Sequence, residues 1–286
     1  MTQMNKKLFT LAIASLFGST AVSAESNWTG LKLGVGVGGQ YDQAKTSVDG
    51  AHDLSAPFHT DTDNFTGNAS GTNDLGKTKF IGTLDASYDY QMNKNFVIGL
   101  IGSYDFGSKK TMGGSTAGLS DWDEGSSSGH GDARITTIFN TKNTAALGLR
   151  LGALANESTL VYAAAGWTNT KYNQSATYAS HAKNNDYYPY DYTSSLSKNG
   201  HKNGYFLGGG LETKFTDRIS GKLEYRYSNF GRIKASQNLS PSGIETGANY
   251  WDEWTGDQTP MSGSSSLIHD TNLTSHAIRA VLSYDF

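Results

Sequence analysis

Eight short segments of strict period-two alternation, joined by connections that are by turns short and long, constrain this chain more than any other feature. Residues 28–41 (WTGLKLGVGVGGQY) set Leu31, Leu33, Val35 and Val37 against Lys32, Gly34, Gly36 and Gly38, which is the period of a strand and not of a helix. Phe80, Leu84, Ala86, Tyr88 and Tyr90 likewise oppose Asp85, Ser87 and Asp89, and Phe96, Ile98, Leu100, Tyr104 and Phe106 share a face. Leu147, Leu149 and Leu151 stand opposite Gly148, Arg150 and Gly152. Over 159–171 the facing is ambiguous, with Val161, Ala163, Ala165 and Trp167 opposite Tyr162, Ala164 and Gly166. Tyr205, Leu207, Leu211 and Phe215 oppose Gly208, Gly210, Glu212 and Lys214, and Ile219, Leu223, Tyr225 and Tyr227 oppose Lys222, Glu224 and Arg226. Finally His276, Ile278, Ala280, Leu282, Tyr284 and Phe286 oppose Arg279 and Asp285.

Three connections are short (near 91–95, 155–158 and 216–217) and four are long and polar (near 43–76, 108–141, 172–202 and 231–272). Antiparallel strands that cross a bilayer reverse sides at each step, so short turns collect on the periplasmic side and long connections outside. The fold expected is all-β: a transmembrane, eight-stranded, antiparallel up-and-down β-barrel with four long outer loops. Residues 231–272, with Tyr250-Trp251-Asp252-Glu253-Trp254, are long enough to hide a hairpin and give ten strands, but Gly, Ser, Asp and Pro interrupt them too often for two spanning runs. A soluble eight-stranded barrel would alternate too, yet has no reason to gather aromatics at strand ends. Here Trp28, Tyr41, Tyr88, Tyr90, Phe96, Phe106, Trp167, Tyr205, Phe215, Tyr227, Tyr284 and Phe286 do so, as two interfacial girdles require.

Residues 1–24 read as a signal peptide, with Lys6 and Lys7 before the apolar run Leu8 to Phe17 and Val22-Ser23-Ala24 as cleavage site, leaving 25–286 as the barrel domain. Removing those two lysines from 23 basic residues leaves 21 against 26 acids, a balance of −5 with no footprint for nucleic acid. A mean hydropathy of −0.48 would suit a soluble protein. A barrel reaches the same value because only alternate residues face lipid. No cysteine is present, so disulfides and thiolate chemistry are excluded.

The charges on the inward faces are Lys32, Asp85, Arg150, Glu212, Lys214, Lys222, Glu224, Arg226, Arg279 and Asp285. A lipid-facing Lys or Arg costs about 2–4 kcal/mol at the midplane, which fixes their direction. Their mixed signs fit a salt-bridge lattice plugging a narrow lumen, or a solvated pathway of small, weakly selective conductance tuned by Glu224, Arg226 and Arg279. Gly34 to Gly39 contain G-x-G-x-x-G, but the run sits inside an alternating strand and no helix follows, so no dinucleotide site is expected. His52, His59, His130, His181 and His201 fall in the long connections, and 186–192 (DYYPYDY) adds aromatic surface. Their spacing fits no ligand set, so no metal or other cofactor is expected, with haem as the weaker alternative. No catalytic order of Ser, His and Asp stands out, and the chain reads as a non-enzyme.

Asn27-Trp28-Thr29-Gly30 with its glycine-rich strand resembles the start of the opacity-type, porin-like surface-antigen β-barrels of the Gram-negative outer membrane. The runs 223–231 (LEYRYSNFG) and 277–286 (AIRAVLSYDF) resemble that family's last two strands. The resemblance covers strands, about 110 residues, and none of the long connections. It implies a location in the cell outer membrane, in contact with its lipid and lipopolysaccharide. It also implies that Ile278, Leu282, Tyr284 and the terminal Phe286 form the signal read by the barrel-assembly machinery. The function expected is a structural envelope component that passes small polar solutes as a porin. The alternative is an adhesin or ligand-binding protein that meets an extracellular ligand or host surface through its outer loops.

Overall fold

The computed structural model describes residues 27–58, 61–107, 110–124, 127–184, 188–239, 249–251, 258–260 and 262–286, so residues 1–24, where a signal peptide is expected, and His59 lie outside the described residues. The strands are β1 (Gly30–Phe58), β2 (Asp61–Gln91), β3 (Phe96–Gly107), β4 (Lys110–Glu124), β5 (Ser127–Asn156), β6 (Thr159–Asn184), β7 (Tyr188–Thr216), β8 (Ile219–Leu239), β9 (Asn249–Trp251), β10 (Gln258–Pro260) and β11 (Ser262–Asp285). All pairings are antiparallel, and β1 pairs β11 to close a ring of eight in which β3 and β4 share one place. The three-residue strands β9 and β10 form a hairpin outside that ring, touching β7 at Asp191↔Asn249. Among the described residues, 231–272 adds no further strand to the ring.

Following the registers from Leu33 through Ala86, Gly102, Leu147, Trp167, Tyr205, Asn229 and Thr274 returns to β1 at Gln43, ten residues higher. That stagger tilts the strands by about 35–45° and leaves an interior that side chains can fill. At the short-turn end, Asn93 Oδ1 accepts from the Asn95 and Phe96 amides at 2.8 and 3.0 Å, and Asn156 Oδ1 from the Ser158 amide at 3.0 Å. Thr216 Oγ1 accepts from the Arg218 amide at 3.2 Å. Side chains that mimic a backbone turn are why these few residues reverse the chain.

The described parts of the four long connections lie at the other end, and most of them are strand. β1 and β2 stay paired up to Phe58↔Asp61, and β5 and β6, then β6 and β7, stay paired well past the expected strand ends. β1 runs for 29 residues, where about 10 suffice to span, so the ring continues above the membrane as a β-tube. The alternation persists with its phase inverted. On β1 the outward residues change from Leu31, Leu33, Val35 and Val37 to Gln43, Lys45, Ser47 and Asp49, while the inward ones change from Lys32 and Gln40 to Ala44, Val48 and Leu54. Lipid outside demands the first arrangement and water the second.

Trp28 departs from the expected girdle. It is fully buried inside the turn end, where Nε1 donates to the Glu157 carbonyl at 3.3 Å and Lys32 Nζ sits 4.3 Å above the ring. The ambiguous strand resolves with Val161 and Trp167 outward and Tyr162 and Ala164 inward.

Candidate functional site: the filled lumen

From the turn end upward, β1 offers the lumen Lys32, then Gly34, Gly36 and Gly38, then Gln40 and Asp42. The glycines let β11 approach: a Cβ on Gly36 would collide with the Ala280 carbonyl oxygen, and one on Gly38 with that of Ile278.

In the lowest layer Lys32 Nζ donates to Glu212 at 2.5 Å and lies 3.4 Å from Asp89, while Arg150 donates to Glu212 at 2.6 Å and through Nε to Asp89 at 2.7 Å. Lys214 completes it, 3.4 Å from Asp285. One layer up, Lys222 Nζ donates to Asp85 at 2.5 Å, Tyr162 donates to Glu224 at 2.8 Å, and Arg226 pairs with Glu224 at 2.9 Å. Arg279 binds both Glu224 and Asp105, the latter at 3.1 Å, and shares Ser103 Oγ with Arg226. In the third layer Lys79 pairs with Asp42 at 2.9 Å and donates to Thr141 at 2.8 Å, and Gln40 donates to Asp42 at 2.6 Å.

Lys32, Asp85, Arg150, Glu212, Lys222, Glu224, Arg226, Arg279 and Asp285 are buried within the ring with Lys214 beside them, together with Asp42, Lys79, Asp89 and Asp105, four not among the charges expected there. The described lumen then holds seven cations (Lys32, Lys79, Arg150, Lys214, Lys222, Arg226 and Arg279) and seven anions (Asp42, Asp85, Asp89, Asp105, Glu212, Glu224 and Asp285). Asp89 shared the alternation of Asp85 and could have been found. So could Asp105, which lies between the outward Tyr104 and Phe106, whereas Asp42 and Lys79 lie just past the apolar segments, where no hydrophobic face indicates direction.

Above the charges the lumen turns apolar. Ala44, Leu75, Met112, Phe139, Tyr172, Phe230, Ile233 and Leu273 form one buried cluster, with the Phe139 and Tyr172 rings stacked 6.2 Å apart. Higher still, Val48, Leu54, Phe65, Ile135, Tyr178, Tyr192 and Leu267 form another. His52 packs there, its Nδ1 2.9 Å from the Tyr178 hydroxyl and its ring 4.5 Å from Phe65. Burial lowers the His52 pKa to about 4 and raises that of Tyr178 to about 12. His269, also buried in the tube, is lowered to about 4 by desolvation, against the opposing pull of Asp270. His130 and His201 are exposed, His181 is partly so, and these histidines do not converge. Among the described residues no group of three or more His, Asp or Glu side chains is arranged to hold a metal ion. Ile278, Leu282, Tyr284 and Phe286 lie on the outer wall, and Tyr284 and Phe286 meet edge to face at 4.9 Å.

The family model for the outer membrane protein beta-barrel domain matches residues 10–251. The chain belongs to that family. As an outer-membrane β-barrel it resides in the cell outer membrane, and its eight-stranded ring is the architecture that location demands. No curated protein matches this barrel. Among solved structures it is similar to OprG of Pseudomonas aeruginosa, at 12% identity over 92% of this chain and 100% of that one, with a TM-score of 0.35. It is also similar to Ail, the attachment invasion locus protein of Yersinia pestis, at 11% identity over 86% and 99%, with a TM-score of 0.28. Neisserial surface protein A matches at 12% identity over 86% and 97%, with a TM-score of 0.26.

Proposed function

We propose that this barrel is a closed, surface-presenting envelope protein: it braces the outer membrane and holds a rigid β-tube above it for contact with ligands outside, and it does not pass solutes. The observation that carries this reading is what occupies the lumen: Trp28 at the turn end, then three layers of paired charge, then the Phe139 and Tyr178 clusters. An ion entering would have to displace salt bridges whose partners are buried on both sides, and then pass two buried clusters of mainly apolar side chains. The tube walls, by contrast, turn polar residues such as Gln43, Asp49 and Asp53 outward, which suits a folded surface in water. Assembly of such a barrel would be signalled by the outward Ile278, Leu282, Tyr284 and Phe286.

Two measurements test the reading together. Liposomes carrying the folded barrel should show no swelling in small sugars beyond that of protein-free liposomes. Trypsin applied to intact cells should leave the tube uncut at Lys45, Arg134 and Lys171, because paired strands do not enter a protease cleft. Sugar-dependent swelling, or rapid cleavage at those sites, would contradict it.

A further inference from the structure

The tube wall is not sealed all the way round. Along β2 the pairing lapses above Ile81↔Gly107 and resumes at Asn68↔Leu119. Between β7 and β8 the ladder ends at Tyr205↔Asn229, where β8 bulges at Phe230 and Gly231 takes a φ of 68°, and among the described residues it does not resume. Above that point β7 pairs with β6 and β8 pairs with β11 as far as Leu239. Each strand therefore continues upward with one edge turned to an open seam.

Two side chains do there what backbone does elsewhere. Lys202 Nζ donates to the Arg232 carbonyl and Lys198 Nζ to the Lys234 carbonyl, each at 2.7 Å. Paired backbones lie about 4.8 Å apart, whereas here a four-carbon lysine stem spans the gap. The even-numbered residues of β7 face inward, and Tyr192, Ser194 and Phe206 are buried. Lys198 has the same phase and is exposed, with Lys202 half-exposed, because the wall beside them is open. A strand residue turns its N–H and C=O to the same side, so Arg232 and Lys234 present both groups to the seam.

The seam is also basic. Lys198, Lys202, Arg232 and Lys234 line it, while Thr193 to Asn203 of β7 and Gly231 to Leu239 of β8 contain no Asp or Glu. Asp270, on the neighbouring β11, is paired with Arg232. Lysine on a sheet edge turns away neutral and basic strands, and the same charge selects an acidic one.

We propose that this seam accepts an extended acidic segment of another polypeptide, which adds as a strand beside β7 and β8. A peptide supplies the alternating N–H and C=O groups that two open edges need, and its carboxylates draw Lys198 and Lys202 off the carbonyls they cover. The seam lies above Tyr205 on the long-connection side, so the partner comes from outside the cell. The inference rests on reading the tube as a surface held out for ligands. Its failure is distinguishable from failure of that reading, since lost peptide binding would leave liposome swelling and trypsin resistance as they are.

The test titrates the folded barrel, in nanodiscs of zwitterionic lipid, into a fluorescent capped octapeptide of alternating Glu and Thr and reads binding by anisotropy. Two sister peptides separate the causes. One has Gln for Glu, and the other has alternate amides N-methylated, which keeps the charge but blocks pairing along one edge. Wild type should bind the acidic peptide about tenfold more tightly than either sister. R232E/K234E, with folding checked by heat-shifted migration, should lose the preference for Glu over Gln, and the turn-end variant K94E/R218E should keep it. Equal binding of the N-methylated peptide would make the seam a general polyanion site, for a sulfated glycan or a lipid phosphate, and overturn the proposal. So would no binding of the acidic peptide, or a folded R232E/K234E barrel that binds as wild type does. The peptide comparison on wild type decides the matter even where the variant fails to fold.

Discussion

Arg279 on β11 donates through Nη1 to the Asp105 carboxylate on β3 at 3.1 Å, tying across the lumen two strands that share no backbone ladder. The same guanidinium binds Glu224 on β8, so one side chain closes three walls of the barrel. Such a bond stabilises only while both partners are present, because an unpaired charge left in the interior is far worse than none.

Glu224→Gln leaves Arg226 and Arg279 short of their shared acceptor and should lower stability by about 3–5 kcal/mol in a denaturant titration of the refolded barrel. Adding Arg279→Met should recover part of that loss, since a second neutralisation removes the orphaned charge. An additive double variant would contradict the shared network.

His52 and His269 give the tube, but not the membrane ring, a pH dependence. Both are buried, and their folded pKa of about 4 lies below the ordinary 6.5. The unfolded tube therefore binds more protons between those values, and stability present above pH 6.5 is lost as pH falls toward 4, by at most about 3 kcal/mol per histidine. Protection of the β5 and β6 backbone amides, relative to their intrinsic exchange at each pH, should fall over that window, and His52→Phe combined with Tyr178→Phe should flatten part of the fall. Protection independent of pH would contradict this.

Gly231 holds the bulge at which β8 leaves β7. Gly231→Val should cost about 1–2 kcal/mol, because a β-branched residue resists a left-handed backbone. Gly39→Val should cost less, since a Cβ there meets nothing within 4 Å. Paired denaturant titrations of the two variants compare them.

Phe286 is exposed on the outer wall, and its amide donates to the Leu31 carbonyl at 2.9 Å, a bond any residue keeps. Phe286→Ala should therefore change in-vitro stability by about 1 kcal/mol or less while clearly reducing the assembled barrel in cells. Equal reduction in both assays would make Phe286 a girdle residue alone.

The membrane ring was legible because lipid imposes one rule on every spanning residue: Leu33 and Val35 outward, Lys32 inward. The tube was not, although its alternation is as regular. With Gln43, Lys45 and Ser47 outside and Ala44, Thr46 and Val48 inside, its faces differ less in hydrophobicity, and small or polar residues on both read as loop. The inversion at Asp42 to Ala44 was the available signal. Trp28 misled for a related reason: an aromatic at a strand end fits a girdle, and only the fold shows that it turns inward beneath Lys32. The residue types of the lumen were readable one by one, but their pairing depends on the ten-residue stagger, which brings Arg150 of β5 to Asp89 of β2 and which no local pattern encodes.

The most direct test of a closed lumen is single-channel recording of refolded residues 25–286 in planar bilayers with simple salt, beside the R226A variant. A folded, heat-modifiable protein that stays electrically silent is the predicted result. Reproducible conductance steps in the wild type that shift in R226A would contradict it and make the charge layers a pathway.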